Sequence, residues 1–150
     1  MVKLPAKALA ILAVAVAFQA LSSGLSTVAL AEAEALAKEE QAIRNVPRIS
    51  IDELKMLMEQ KNVLVIDVRD AESFSKGRIP GAVNVDYTQI LKQAATFAGE
   101  KRTIVTYCAC ANEMTAARAS VDLAAKGVAG AKALTGGWDE WVQRGERIER

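Results

Sequence analysis

Apolar positions along the chain follow two alternating periods. Residues 63–68 (VLVIDV) and 103–107 (TIVTY) are near-continuous apolar or β-branched runs, and shorter runs occupy 48–49, 82–85 and 131–134. Between them the spacing becomes helical. Ser50 and Glu53 form an SxxE capping box ahead of Ile51, Leu54, Leu57 and Met58, which predicts a helix to about Gln60. Further helical turns are expected over 72–76, ended by Gly77, and over 87–97 through Ile90, Leu91, Ala94 and Phe97, closed by Gly99. A longer helix is expected over 113–126, burying Ala117, Val121, Leu123 and Ala124, and a terminal helix starts with Trp138 and Trp141, read as packing residues. Strands without a polar face, alternating with helices, predict an α/β domain whose mainly parallel sheet is covered on both sides.

One residue breaks the apolar run of 63–68. A carboxylate at Asp67 is costly to bury unless it is paired, so Asp67 is expected to bond nearby backbone N–H groups or Arg69. Both are read as organisers of the loop after the strand ahead of any catalytic role.

Cys108 follows the strand 103–107 directly. In parallel α/β sheets, sites form at the carboxyl ends of strands. The loop Ala109, Cys110, Ala111, Asn112, Glu113, Met114 and Thr115 then leads into a helix, whose free N–H groups and positive dipole end favour thiolate over thiol. The chain has no histidine, which removes Cys–His proteases, Ser–His–Asp hydrolases and histidine zinc sites. Two cysteines cannot make a disulfide framework, so their reactivity is what needs explaining. A net charge of +1, with no basic block, excludes a nucleic-acid surface.

The N-terminus reads as an export signal over 1–31. Lys3 and Lys7 precede the apolar run 8–18, and Ala29, Leu30 and Ala31 give a small-x-small site before Glu32. Export to the periplasm is the expectation. The alternative is an uncleaved segment tethering the protein to the inner membrane, since 8–31 is long enough to span it. Residues 32–47 read as an exposed helical or flexible linker without an assigned function, residues 48–145 as the folded domain, and 146–150 as a charged tail.

Three stretches in this order, VIDVRDAESFSKGRIPGAVNV (65–85), TIVTYC (103–108) and LTGGWDEW (134–141), resemble the single-domain rhodaneses, a sulfurtransferase family. The loop CxCxNE is similar to a subgroup often found in membrane-linked or exported rhodaneses. The resemblance implies a five-stranded, mainly parallel sheet flanked by helices on both sides. It also implies Cys108 as the nucleophile, taking sulfane sulfur from thiosulfate or a persulfide and passing it to a thiol or cyanide in two steps. Loop N–H groups would cradle the anionic persulfide, and neither metal nor other cofactor is implied. Phosphatase relatives need an arginine at the end of the loop to hold phosphate. Glu113, Met114 and Thr115 stand there instead and disfavour that activity.

Alternatives remain open within the loop. Glu113 reads first as an acid satisfying the helix dipole, second as a group that raises the Cys108 pKa. Asn112 caps the helix or donates to the persulfide. Cys110 is a small loop side chain, a resolving thiol that displaces sulfide and closes a disulfide with Cys108, or one of two thiolates for Cu(I). The corresponding alternative functions are a dithiol redox protein and an inactive rhodanese-like binding module.

Overall fold

A computed structural model describes residues 27–150, which divide into two units at Glu40, the second being Gln41–Arg150. Lys3, Lys7 and the apolar run of the expected export signal lie outside the described residues. In the first unit, residues 27–40 are helical and almost wholly exposed, part of α1 (Thr27–Asn45). Its Ala, Glu and Lys content favours helix without needing a buried face. Among the described residues, no helix is long and apolar enough to cross a membrane.

The second unit is an α/β domain. After the end of α1 it runs β1 (Arg48–Ile49), α2 (Ile51–Glu59), β2 (Val63–Asp67), α3 (Ala71–Lys76) and β3 (Val83–Asn84). Then come α4 (Ile90–Gln93), flanked by two 3₁₀ turns, β4 (Thr103–Tyr107), α5 (Met114–Ala125), β5 (Lys132–Leu134) and α6 (Gly137–Gln143). The five strands pair in the order β1-β5-β4-β2-β3, every pair parallel. The Ser50–Glu53 capping box forms as expected, with the Glu53 amide donating to the Ser50 hydroxyl at 3.2 Å and the Ser50 amide to the Glu53 carboxylate at 2.9 Å.

The two-residue period of β4 sorts its side chains to opposite faces. Val105 and Tyr107 join one core with Ile49, Leu54, Val65 and Leu134, whereas Ile104 and Cys108 join the other with Leu64, Ile66, Ala116 and Leu123. Burying a Leu or Ile completely contributes on the order of 2 kcal/mol. These two layers therefore fix the end of β4, and with it the direction in which Cys108 points.

Several expected boundaries shift. The helix expected over 87–97 is three pieces, because Asp86 captures the Thr88 amide at 2.8 Å in a 3₁₀ turn and only Ile90 and Ala94 are fully buried, with Leu91 half exposed. On α5 the inward stripe is Ala116, Ala117, Ala119, Ser120 and Leu123, while Ala124 is exposed. The segment read as a linker ends inside the folded unit, since Ile43 and Val46 are buried in its core. The charged segment 146–150 is tied to the domain: Arg78 and Glu149 exchange backbone hydrogen bonds of 2.9 and 3.0 Å, and Ile148 packs against the core.

Candidate active site

β4 delivers Cys108 to the edge of the core that faces α5. The buried Thr106 hydroxyl sits 2.9 Å from the Ala116 carbonyl and 3.0 Å from the Ser120 hydroxyl, so strand and helix are tied one turn behind the loop. From the other side, residues 136–138 close over the loop. The Trp138 amide donates to the Cys108 carbonyl at 2.9 Å, and the Gly136 amide to the Glu113 carboxylate at 2.6 Å. Gly137 lies between them with φ +51°, its Cα so near the Cys108 carbonyl that a side chain would collide with it. The glycine pair in the TGGW stretch is thus a backbone requirement.

Cys108 and Cys110 are joined by a disulfide, with Cα atoms 5.6 Å apart, inside the span such bonds usually take. Cys108 is 4% exposed and Cys110 is partly exposed. The chain turns from Cys110 into α5 through two successive left-handed residues, Asn112 (φ 55°) and Glu113 (φ 52°). Non-glycine residues in that region cost on the order of 1 kcal/mol or more each, so the surrounding contacts must hold them there. The Glu113 amide donates to the Cys110 carbonyl at 3.2 Å, and the Thr115 amide, in the first turn of α5, to Cys110 Sγ at 3.4 Å.

These contacts correct two expectations about the loop. The helix terminus was expected to address Cys108, but in this disulfide form its Thr115 amide addresses Cys110, whose sulfur is drawn between Cys108 and the helix. Asn112 is not the helix N-cap; Glu113 holds that position without a side-chain capping bond. The Glu113 carboxylate accepts the Gly136 amide and lies 3.7 Å from Arg48 Nε, two partners the sequence did not point to. The bond to Gly136 ties the residue before α5 to the loop after β5.

Asp67 and Arg69 form a buried pair, as their placement in and after β2 suggests. Asp67 accepts the Arg69 amide at 2.9 Å and two guanidinium nitrogens at 2.6 to 3.1 Å, and it accepts the Tyr107 hydroxyl at 2.5 Å. Its neighbour in register across β2 and β4 is Tyr107 itself. Burial, then the charge of Asp67 and the bond to it, push the Tyr107 pKa far above its usual value. Burial opposes the charge on Arg69, but its bonds to Asp67 and the Asp67 charge outweigh it and leave the Arg69 pKa raised. The guanidinium also donates to the Gly77 carbonyl at 2.7 Å and lies 4.3 Å from the centre of the Trp138 ring. Asp67 and Arg69 therefore reach the loop through Trp138, whose amide holds the Cys108 carbonyl.

A cavity of about 150 Å³ opens beside the loop, lined by Tyr87, Met114, Thr115 and Arg118. Tyr87 and Cys110 both pack against the core on the α5 side. Tyr87, Arg118, Arg48 and Tyr107 were not singled out by sequence reasoning. For Tyr107, its position immediately before Cys108, across from a buried acid, was the available signal.

A parallel α/β sheet with a cysteine at the end of its central strand, followed by a tight loop and a helix, defines a strand-end thiol protein. The particular family follows from comparison: the rhodanese-like domain matches residues 50–144, and the chain belongs to this family. The chain is 30% identical over 91 residues to the chloroplastic thiosulfate sulfurtransferase 16 of Arabidopsis thaliana, covering 53% of this chain and 74% of the relative. It is 29% identical over 96 residues to the thiosulfate sulfurtransferase GlpE of Shewanella oneidensis, covering 62% and 89%. A third relative, the HTH-type transcriptional regulator Rv0324 of Mycobacterium tuberculosis, is 36% identical over 84 residues, 56% of this chain; the match spans only 34% of that protein's length. Among solved structures, the fold is shared with the human single-domain sulfurtransferase TSTD1, at a TM-score of 0.56 and 24% identity over 67% of this chain and 98% of that one.

Proposed function

We propose that this protein is a sulfurtransferase that carries sulfane sulfur on Cys108. The observation that carries this reading is the placement of Cys108 at the carboxyl end of the central strand, before the N-terminus of α5, in a chain that belongs to the rhodanese-like family and has relatives named as thiosulfate sulfurtransferases. With the disulfide reduced, the Cys108 thiolate attacks the outer sulfur of thiosulfate or a persulfide. The S–S bond of the donor breaks, sulfite or a thiolate leaves with the electron pair, and Cys108 persulfide remains. A thiol or cyanide acceptor then takes the terminal sulfur and returns the thiolate. No general base is needed, because a thiolate attacking sulfur loses no proton.

The loop 109–115 supplies backbone amides for the anionic persulfide, and the cavity beside it, lined in part by Arg118, offers an anionic donor a cationic wall. Asp67 and Arg69 position the loop through Trp138. The CxCxNE loop and the basic-then-apolar N-terminus further support export to the periplasm, with a membrane tether as the alternative. Thiosulfate–cyanide turnover of the reduced full chain tests the assignment. Thiocyanate formation is expected in the wild type and absent in Cys108→Ser. Turnover in Cys108→Ser equal to wild type overturns it.

A further inference from the structure

The second cysteine does more than fill the loop. Cys110 Sγ is bonded to Cys108, is the more accessible of the two residues, and accepts the Thr115 amide in the first turn of the twelve-residue α5. Two observations thus converge on this sulfur: a backbone path that carries it into bonding contact with Cys108, and a helix-terminal amide 3.4 Å from it. Asn112 and Glu113, both left-handed, fold the loop back so that these contacts coexist.

We propose that Cys110 is the resolving thiol of a reductive sulfide-releasing cycle, a deepening that rests on the Cys108 persulfide reading. The Cys110 thiolate attacks the inner sulfur of the Cys108 persulfide. The Cys108–Cys110 bond forms, the bond to the terminal sulfur breaks, and that sulfur leaves as hydrosulfide with the bonding pair and a proton. The two cysteines are thereby oxidised and the sulfane sulfur is reduced. Two equivalents of a small thiol, or one dithiol, then reduce the disulfide by exchange and are themselves oxidised to a disulfide. The incoming thiol meets Cys110 first, since Cys108 is 4% exposed in this state. Over one cycle, thiosulfate and two thiols yield sulfite, hydrosulfide and one disulfide. The structure shows the cycle at its oxidised stage, in which no thiolate is free to take a donor.

A single turnover without added thiol tests this. Full-length protein is reduced, freed of reductant under argon, and mixed with one equivalent of thiosulfate; sulfite, sulfide and intact mass are then measured for wild type, Cys110→Ser and Cys110→Ala. The expected result is about one sulfide per sulfite in the wild type, with the protein lighter by two hydrogens. Both variants should release sulfite, little sulfide, and retain one added sulfur. Sulfite with a lasting persulfide and no sulfide from the wild type overturns the resolving role while leaving sulfur transfer intact. No sulfite from the wild type overturns the persulfide reading and this cycle with it.

Discussion

Gly137 and Cys108 share a contact that no other residue pair could make: the carbonyl of Cys108 occupies the space in which a side chain at 137 would begin. The loop after β5 and the loop after β4 are therefore built against each other at backbone level. The Gly136 amide on Glu113 and the Trp138 amide on Cys108 complete the joint.

Gly137→Ala should disturb this joint more than strain alone accounts for. A positive φ costs a non-glycine residue about 1 kcal/mol, and Gly127→Ala, where φ is +85° and nothing stands within 4 Å, provides the measure of that cost. At Gly137 the collision adds to it, so a loss of about 2 kcal/mol or more is expected, together with slower sulfur transfer. Urea unfolding of both variants, with thiosulfate–cyanide turnover, checks the difference. Equal losses in both would contradict the role of the contact.

The Asp67–Arg69 pair should matter far more than the surface pairs of the domain. Its side chains are 0% and 8% exposed, against 78% and 71% for Glu72 and Lys76. Removing one member of a buried pair strands the other, at a cost of about 3 kcal/mol or more, whereas an exposed pair contributes well under about 1 kcal/mol. Arg69→Met is expected to destabilise the protein strongly and with little dependence on salt; Lys76→Met should change it hardly at all. Denaturant unfolding at low and high salt measures both.

Tyr107 gives the domain an alkaline limit. Its folded pKa lies above the ordinary value of about 10, so above that pH the unfolded chain loses a proton that the folded one keeps. Stability from this group is full below pH of about 10 and falls as pH rises further toward the folded value. In a Tyr87→Phe background, phenolate absorbance from Tyr107 is expected to develop only as the protein unfolds. Phenolate absorbance in a protein that is still folded at about pH 10 would show that the hydroxyl is not held by Asp67 and burial.

The sheet was legible because its strands have no polar face. β2 read as an apolar run and β4 as a β-branched one, and Asp67, the one charged residue in the two strands, announced its own pairing. The glycine stops and the Ser50 capping box marked element ends for a similar reason, since each acts within a few residues. What the sequence hid depends on contacts across the chain. The left-handed turn at Asn112 and Glu113 uses residue types that do not demand it, so Glu113 read as a helix acid although its carboxylate meets Gly136, distant in sequence. Residues 87–97 looked like one helix, but only Ile90 and Ala94 are fully buried, while Tyr87 and Phe97 are partly buried and Leu91 is half exposed. Cys110 stood out by spacing, while the amide that faces its sulfur became visible only in the fold.

The central claim is that Cys108 carries the sulfur, and intact mass tests it most directly. Reduced wild type and Cys108→Ser are treated with excess thiosulfate and measured before and after dithiothreitol. Expected is one added sulfur on the wild type or, only where sulfite and sulfide are released with it, the loss of two hydrogens, in either case restored to the starting mass by dithiothreitol, with no change in Cys108→Ser. Loss of two hydrogens without sulfite is plain oxidation and would contradict the claim. An added sulfur on Cys108→Ser, or a wild type that dithiothreitol cannot restore, as expected for sulfinic oxidation, would contradict it.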